Sequence, residues 1–593
     1  MIKLTDDQIN AKINFINQYI NSQNAASGST LDSNANVSTK NIATLTAELF
    51  KDFTIQINRK LIQSKIESRF NKKMSRQYIR DIEDHLIYVH DESSIMPYCV
   101  AISMYPFLTD GLRLLGGESD KPKHLESFCG SFGNLIFAIS SQFAGAVATP
   151  EFFIVFDYYA RKDYGDNYLE THSDLISQKF QHIVYVLNQP AAARGYQSVF
   201  FNISTFDKYF FEGLFSSFCF PDGDTPKWET VNKLQKFFHK WFRKEREKVL
   251  LTFPVVTHSF LTDEKDILDK EWKDFIAEEM SLGGEFFIYT SKSVDSLSSC
   301  CRLKNSIDTT EFNYSLGGGG GVMTGSKNVI TLNINRIVQE GVDLDLLIDR
   351  VHKYQVAFND LYQEYFEKGI LSIYKAGFID LKKQFLTIGI NGVVEAAEFL
   401  GYEISNNENY KNWLKDFLLK FKTKNKIASE KYDLKFNTEF VPAENLGVKN
   451  AKWDLASGLI SKRDAYNSYM YIVEDDSLSL FDKMELHGGE IIDNLDGGSA
   501  LHFNNNERLD KKQYILILEA LVRTGCNYFC ENVPKTICNS CGYIHPNNRD
   551  TCMTCGSQDV EKATRVIGYL KRIKDFSVDR QKEASHRVYH QNI

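Results

Sequence analysis

Four cysteines near the end of the chain have the residue type and spacing of a metal site. They form two Cys-x2-Cys pairs, "CNSC" and "CMTC", separated by ten residues. Each pair brings two thiolates to one side of a tight turn, and two such turns complete a tetrahedron of sulfur ligands. Because no corner is left open for a substrate, the pattern predicts a structural zinc ion, with an iron–sulfur cluster as the alternative. The ligands are Cys538, Cys541, Cys552 and Cys555.

A single glycine, Gly568, follows the cysteines inside the apolar hexapeptide "RVIGYL" at 565–570. The flanking residues suit a buried strand or helix, and glycine weakens both. The α-carbon of a glycine can lose a hydrogen atom to give a radical that the amide nitrogen and the carbonyl stabilise together. That centre must flatten, and only glycine lacks the side chain that opposes flattening. The hexapeptide alone leaves two interpretations open: a radical site, or a glycine at a turn.

Cysteine usage indicates thiol or metal chemistry in a reducing compartment. The chain has 593 residues and eleven cysteines, an odd number, of which six fall within 526–555. This argues against a disulfide framework. The first fifteen residues are polar, unlike a signal peptide, and the most apolar window, 134–156, is interrupted by Ser140, Pro150 and Glu151. The sequence therefore predicts a cytoplasmic protein that does not cross a membrane.

The charge balance argues against several classes of partner. Net charge is −8 and the isoelectric point is about 6.0, which is the wrong sign for a protein that binds nucleic acid or anionic membranes through bulk charge. The basic cluster "KWFRKEREK" at 240–248 has helical spacing and predicts a solvated helix face. We therefore expect neither nucleic acid nor a membrane as a partner.

The elements that must position these residues alternate between strands and helices. Helical periodicity runs through about residues 40–82, and "HLIYVHD" at 85–91 alternates like a strand. Further strand-like runs are "EFFIVFDYYA", "QSVFFNIS", "LLTFPVVTH", "EFFIYTS" and "NVITLNI", and long helical patterns cover 228–250 and 342–367. Strands separated by helices predict an α/β architecture, with a closed barrel as one form of it.

In chain order, these motifs resemble those of the anaerobic (class III) ribonucleoside-triphosphate reductases. "RVIGYL" resembles the glycyl-radical motif Arg-x-x-Gly-Tyr, and the four-cysteine ribbon precedes it as in that family. "HLIYVHDESSIMPYC" resembles a His-x-His-Asp segment leading to a strand cysteine, Cys99, although Tyr88 stands at the first histidine. "RGYQSVFFNISTFD", "SLSSCCRL", "GSKNVITLNINRI" and the last thirty residues resemble further family segments. The resemblance covers about residue 34 to the end.

The resemblance implies an α/β fold whose core is a ten-stranded α/β barrel of two five-stranded halves, with a central finger loop near 296–328. A C-terminal zinc ribbon and a glycyl-radical loop complete it. Because the first residues are polar and rich in Ser and Asn, they predict a flexible lead-in without an overall-activity site. The predicted domains are the lead-in at 1–40, the barrel at 41–525, the ribbon at 526–560, and the radical loop and tail at 561–593.

The resemblance also implies a role for each of four residues. Gly568 would store a radical installed by a radical-SAM activating protein with a 4Fe-4S cluster. Cys301, next to arginine in "CCR", would relay that radical to the substrate, and Cys99 would donate a proton or hydrogen. Asn328 matches the asparagine of family members that use formate, so formate is the expected reductant. The alternative is a disulfide relay that involves Cys300, Cys526 or Cys530 and is fed by a small redoxin.

The partners implied by the resemblance are ribonucleoside triphosphate substrates and deoxynucleoside triphosphate effectors, the latter at a homodimer interface. Three other functions stay open from the residues. One is another glycyl radical enzyme, an acyltransferase or a dehydratase, although these lack the ribbon before the glycine. The second is a non-catalytic zinc-ribbon protein that binds nucleic acid. The third is a metal phosphohydrolase that uses His90 and Asp91 of "VHDE".

Overall fold

The computed structural model describes residues 3–29, 31, 39–190, 197–294, 296–298, 304–306, 322–441, 445–565 and 568–590, with 296–298 and 304–306 described for their backbone. Cys300, Cys301 and most of the predicted finger loop lie outside the described residues. None of the described helices is both long and apolar enough to cross a membrane.

Seventeen strands lie within the described residues. They are β1 Ile87–Val89, β2 Cys99–Ala101, β3 Val147–Thr149, β4 Phe201–Phe206, β5 Val255–Leu261, β6 Phe287–Ser291, β7 Ser296–Ser298, β8 Lys304–Ser306, β9 Thr324–Asn333, β10 Phe385–Asn391, β11 Lys435–Phe440, β12 Leu501–Asn504, β13 Tyr528–Asn532, β14 Lys535–Cys538, β15 Ile544–His545, β16 Val560–Arg565 and β17 Leu570–Arg572.

Ten of these strands close into a barrel of two parallel halves. In the first half β2, β3, β4, β5 and β6 pair parallel in that order. In the second half β9, β10 and β11 pair parallel, β12 pairs parallel with β13, and the bridge Glu439↔Gly498 joins β11 to the segment before β12. The halves meet antiparallel at β2–β9 and at β6–β13. This confirms the predicted ten-stranded barrel of two five-stranded halves; β1 adds an eleventh strand on β9.

The helices connect the strands and cover the barrel. Within the described residues they are α1 Asp6–Asn21, α2 Ala25–Gly28, α3 Ile42–Leu49, α4 Lys51–Arg69, α5 Lys72–Glu83, α6 Tyr105–Asp110, α7 Leu125–Ser140, α8 Phe152–Tyr164, α9 Tyr168–Thr171, α10 Ser173–Leu187, α11 Lys208–Phe215, α12 Trp228–Glu245, α13 Lys270–Ser281, α14 Ile334–Gln339, α15 Leu344–Glu367, α16 Ser372–Lys375, α17 Val393–Phe399, α18 Glu408–Tyr432, α19 Leu446–Ala456, α20 Leu480–Leu486, α21 Gly489–Ile492, α22 Lys511–Thr524 and α23 Val578–His586.

One predicted strand is wrong. The run "EFFIVFDYYA" at 151–160 lies mostly in helix α8, where ten of the thirteen residues are buried. Phe152 and Phe156, one turn apart, have ring centroids 5.9 Å from each other, and both pack on Phe128 of α7. A helix buried on nearly every side shows no polar face, so its sequence reads like a buried strand.

Part of the N-terminal segment is helical. Helix α1 begins with a capping box in which the side chains of Thr5 and Gln8 each accept from the other residue's backbone N–H. After α1, the Asn24 side-chain amide donates to the carbonyls of Lys574 and Phe576, at 3.1 Å and 2.8 Å. The segment predicted as a flexible lead-in thus includes a capped helix and contacts the C-terminal tail.

A second, four-stranded sheet leads from the cysteine ribbon to Gly568. Its strand order is β15-β14-β16-β17, and every pairing is antiparallel. Strand β14 ends at Cys538, and β16 pairs with β17 up to the register Arg565↔Leu570. Gly568 therefore lies in the turn of a hairpin whose first strand is paired with a ribbon strand.

Candidate functional site

The four ribbon cysteines meet at one point. The Sγ atoms of Cys538 and Cys555 are 3.6 Å apart, those of Cys541 and Cys552 are also 3.6 Å apart, and all four lie within 4.8 Å of one another. A tetrahedral zinc site with Zn–S bonds of about 2.3 Å has sulfur–sulfur edges of roughly 3.8 Å. The cysteines can therefore hold a zinc ion with little movement.

Local turn chemistry creates this geometry. Gly542 and Gly556, which each follow a Cys-x2-Cys pair, have φ angles of 78° and 73°, a region that favours glycine. Their backbone N–H groups donate to the carbonyls of Cys538 and Cys552, at 3.0 Å and 2.8 Å. His545 on β15 lies beside the cluster, with Nε2 3.5 Å from Cys552 Sγ. Among the described residues, these cysteines form the one group of possible ligands close enough to share a metal ion.

Gly568 is buried, and an arginine contacts its carbonyl. Arg565 Nη1 donates to the Gly568 carbonyl oxygen at 3.2 Å, and Nη2 donates to Glu285 Oε2 at 3.0 Å. The guanidinium lies over the Phe287 ring of β6, 4.9 Å from its centroid. The glycine of "RVIGYL" is thus tied through the arginine of the same motif to the barrel.

Glu285 is the centre of a buried ionic network that holds this arginine. Its carboxylate contacts Arg508, Arg565 and, at 3.7 Å, Lys535 of the ribbon sheet. Arg246 Nη1 donates to the Glu285 carbonyl at 3.0 Å. Burial alone would raise the pKa of Glu285, but the surrounding cations outweigh burial and lower this pKa to about 2. Burial lowers the pKa of Lys535 to about 8, although Glu285 opposes that change.

Tyr569, next to Gly568, joins the hairpin to an aromatic cluster inside the barrel. The Tyr569 ring centroid is 5.3 Å from that of Phe200 and 5.7 Å from that of Phe253. Phe200, just before β4, also packs against the small cluster formed by Cys99 of β2 and Ala146, the residue before β3. One phenylalanine therefore separates the neighbour of Gly568 from the predicted donor cysteine.

Cys99 is held tightly on β2. It is buried, and its Sγ accepts the Ala146 N–H at 3.3 Å. Gly145 lies directly against the sulfur, because a Cβ atom at that position would stand only 2.6 Å from Cys99 Sγ. Gln384 Nε2 donates to the Cys99 carbonyl at 2.9 Å, and the backbone of Cys99 pairs with Ser326 of β9. Both edges of this short strand are thus paired, and close contacts also hold the Cys99 side chain.

Asn328 lies on β9, two residues from the strand partner of Cys99. A bulge falls there: Phe385 pairs with Ser326, and Leu386 pairs with Asn328. Asn328 is 4% exposed, and its Oδ1 has no hydrogen-bond partner within the described ranges. Its side chain lines a small cavity beside Tyr98. The fold therefore brings Cys99 and Asn328 onto adjacent strands.

Two other predicted thiols have no thiolate character. Cys526 and Cys530 are buried, and burial raises the pKa of each to about 12. Both remain protonated near neutral pH, which is unfavourable for thiol–disulfide exchange. Cys301 falls outside the described residues, so its predicted role as radical relay stays a prediction.

Several residues that shape this site were not predicted from the sequence. Gly145 in "FAGAVAT" and Phe200 in "QSVFF" lie in strongly apolar segments, where a single glycine or phenylalanine carries no signal of its own. Glu285 follows the glycine pair "GG" before β6, and Gln384 immediately precedes β10. Glu285 offered a signal, since a charged residue at the start of an apolar strand run needs a buried partner.

Comparison with solved structures confirms the barrel. An anaerobic ribonucleotide reductase structure superimposes with a TM-score of 0.86 at 24% identity, covering 99% of this chain and 93% of that chain. The enzyme from Thermotoga maritima with glycerol in the active site gives 0.81 at 26% identity, over 91% and 90%. The same enzyme in complex with dATP and CTP gives 0.82 at 24% identity, over 99% and 100%.

Comparison with family models identifies the enzyme class. A search of curated protein sequences found no match. The family model described as "Anaerobic ribonucleoside-triphosphate reductase" matches residues 48–590, which covers the barrel, the ribbon and the Gly568 hairpin. The chain therefore belongs to the anaerobic ribonucleoside-triphosphate reductase family and is a ribonucleotide reductase, an oxidoreductase.

Proposed function

We propose that this chain reduces ribonucleoside triphosphates to deoxyribonucleoside triphosphates with a radical stored on Gly568 and formate as reductant. The observation that carries the proposal is the chain of contacts from Gly568 to Cys99. Arg565 binds the glycine's carbonyl, Tyr569 packs on Phe200, and Phe200 packs on the cluster of Cys99 and Ala146. A buried glycine, anchored through its carbonyl and close to a buried cysteine of the barrel, is the arrangement that a stored radical needs.

The proposed reaction transfers one hydrogen atom at a time. A radical-SAM partner with a 4Fe-4S cluster removes a hydrogen atom from Gly568. Cys301 then gives its thiol hydrogen to Gly568, and the resulting thiyl radical takes the 3′-hydrogen of the ribose. Cys99 supplies the proton with which the 2′-hydroxyl leaves as water. Formate then leaves as CO₂ and gives two electrons and one proton, which together with a second proton from solvent form the new C2′–H bond and leave Cys99 protonated again. Cys301 returns its hydrogen to C3′, so the sum is NTP + HCOO⁻ + H⁺ → dNTP + CO₂ + H₂O.

The burial and protonation of Cys526 and Cys530 favour formate over a disulfide relay as the source of electrons. Cys526 and Cys530 are protonated and buried, so a redoxin could neither reach nor activate them. Asn328 lies one strand from Cys99 with an unused amide oxygen in the described part of the structure, a place where a small polar reductant could be oriented.

We also propose that the ribbon cysteines hold zinc, which fixes β14 and, through it, the strand that leads to Gly568.

Isotope-labelled formate tests this proposal. We expect activated protein with a ribonucleoside triphosphate to release labelled CO₂ and deoxynucleotide in a ratio of one to one. Asn328→Ala should raise the formate concentration needed for half-maximal rate at least tenfold. It should leave the radical on Gly568 unchanged, because Asn328 does not contact that hairpin in the described residues. Turnover with a reduced redoxin and without formate would contradict the choice of reductant.

Gly145→Ala is expected to damage the reaction without touching the substrate. The new methyl group would stand 2.6 Å from Cys99 Sγ, so the thiol or its strand must shift; such overpacking costs about 1–3 kcal/mol. A displacement of about 1 Å at a reacting group can lower kcat about 100-fold. The measurement is kcat in activated protein, with thermal unfolding as a check on folding.

Gly130→Ala on helix α7 is the matched control for Gly145→Ala. It adds the same methyl group where nothing lies within 4 Å, and alanine favours helix over glycine by up to about 1 kcal/mol. We expect full activity and a slightly higher unfolding temperature for this control. A Gly145→Ala variant with the control's activity would show that the position of Cys99 does not limit the reaction.

A further inference from the structure

Strand β4 presents alternate residues to opposite sides of the barrel wall. On the helix side, Phe201 packs edge-to-face on Phe132 of α7, and Thr205 Oγ1 lies 3.1 Å from His239 Nε2 of α12. Because successive side chains of a strand alternate, Phe200 and Asn202 face the barrel interior. Phe200 confirms this direction, since it packs on Cys99 and Tyr569.

Asn202 has a buried and unused amide. The residue is 5% exposed, and within the described residues neither its Nδ2 nor its Oδ1 has a hydrogen-bond partner. Some other polar groups of the barrel strands do have partners: Thr387 Oγ1 donates to Asn437 Oδ1 at 2.7 Å and lies 2.8 Å from Ser326 Oγ. Asn437 Nδ2 has no partner within the described residues, but its Oδ1 does, whereas both ends of the Asn202 amide are unused. A buried amide with both ends unsatisfied is destabilising and calls for an explanation.

The position of Asn202 links it to the reaction. It lies two residues along β4 from Phe200, about 6.6 Å at the usual rise of a strand, and its backbone is in register with Ala148 of β3. Ala148 and Ala146 carry only methyl groups, so no large side chain of β3 stands between Asn202 and the wall that holds Cys99. The amide and the thiol therefore face the same space.

The chemistry of an amide restricts its ligand. With one acceptor and one donor group both unused, the side chain complements a group that also accepts and donates. A hydroxyl does both, whereas a phosphate or a formate ion at neutral pH mainly accepts. We propose that Asn202 binds the ribose hydroxyls of the nucleotide substrate and so orients the sugar toward Cys99. This inference rests on the proposed function, which puts the sugar beside that thiol.

Equilibrium dialysis with unactivated protein tests the proposal, because binding needs no radical. The probes are CTP and 2′,3′-dideoxy-CTP, which differ only in the two hydroxyls. We expect wild-type protein to bind CTP about 10- to 100-fold more tightly than the dideoxy compound. Asn202→Leu should reduce this ratio to near one by weakening CTP binding alone. Nucleotide bound elsewhere on the protein would give a ratio that does not respond to this change.

The unfolding temperature distinguishes a binding role of Asn202 from a structural role. Asn202→Leu removes an unsatisfied buried amide, so we expect its unfolding temperature to equal or exceed that of wild type. Ile203→Val, on the opposite face of the same strand, should lower the unfolding temperature slightly and leave the CTP ratio unchanged. If Asn202→Leu does not fold, Asn202→Ser carries the test, with a partial loss of the ratio expected.

The assignment would be overturned by an Asn202→Leu variant that keeps the wild-type preference for CTP over the dideoxy compound. If that variant also needs a higher formate concentration, Asn202 is a formate ligand instead. A failure of the radical chemistry would appear as absent turnover and an absent Gly568 radical in wild-type protein, with the binding ratio intact, so the two failures are distinguishable.

Discussion

Replacing Gly568 with alanine is expected to abolish ribonucleotide reduction, with kcat at least 10⁴-fold below wild type. The side chain opposes the planar geometry of the radical, and the residue also lies buried between Arg565 and the Tyr569–Phe200 cluster. The measurement is deoxynucleotide formed per activated chain under anaerobic conditions.

The folded state of this variant must be checked separately. Zinc content, thermal unfolding and nucleotide binding should all be close to wild type, because the ribbon and the barrel wall are unchanged. Arg565→Lys offers a graded comparison: it keeps the charge but loses the two-pronged contact to Gly568 and Glu285. We expect it to retain some radical at lower yield. Activity in Gly568→Ala above 1% of wild type would disprove the role of this residue.

Glu285→Gln is expected to produce the largest loss of stability. The substitution removes the charge that Arg508, Arg565 and Lys535 share in a buried environment. Breaking a buried ion pair by removing one partner costs about 3–5 kcal/mol. Because Arg565 is then anchored by fewer contacts, hydrogen exchange in the hairpin of β16 and β17 should also accelerate. The measurements are thermal unfolding and hydrogen exchange of residues 560–572.

The loss of stability caused by Glu285→Gln should depend on pH in a defined direction. Glu285 has a pKa of about 2 in the folded protein against a reference value of 4.5. A lowered carboxyl pKa contributes stability that is fully present above the unfolded value and is lost as pH falls toward the folded value. The stability difference between wild type and Glu285→Gln should therefore be constant above about pH 5.5 and narrow below pH 4.5.

A charge on the same hairpin provides the matched control. Glu561 of β16 pairs with Arg572 and Lys574 near the surface, where such pairs contribute about 0–1 kcal/mol. Glu561→Gln should leave unfolding and radical yield nearly unchanged. Equal effects of Glu561→Gln and Glu285→Gln would contradict the view that the buried network, and not general charge, anchors Gly568.

The fold was predictable where its signals were local or ordered along the chain. Strand-like runs separated by helical patterns indicated an α/β architecture, and the family resemblance carried by the ordered motifs implied the barrel of two halves. The prediction failed at α8, where burial on nearly every side removed the periodicity that distinguishes helix from strand. Helix α1 was also missed, because its signal is a single capping box in a polar segment.

The residues of the candidate site were likewise predictable only in part. The ribbon cysteines follow from their spacing and residue type. The hexapeptide around Gly568 left a turn glycine equally open, and the radical role predicted for it rests on the family resemblance. Gly145 and Phe200 could not be found that way, because each acts through a contact that only the closed barrel creates. Asn202 could not be found either, because only the fold shows that its amide is buried without a hydrogen-bond partner in the described residues. Glu285 is intermediate: its charge in an apolar setting signals a partner, but not which one.

The most direct test of the central claim is the electron paramagnetic resonance spectrum of anaerobically activated protein, made once with ordinary glycine and once with glycine deuterated at the α-carbon. We expect a doublet from one α-hydrogen, which collapses to a singlet in the deuterated sample. No signal should appear in Gly568→Ala. A doublet that persists after deuteration, or that survives in Gly568→Ala, would place the unpaired electron on another residue and contradict the proposed mechanism.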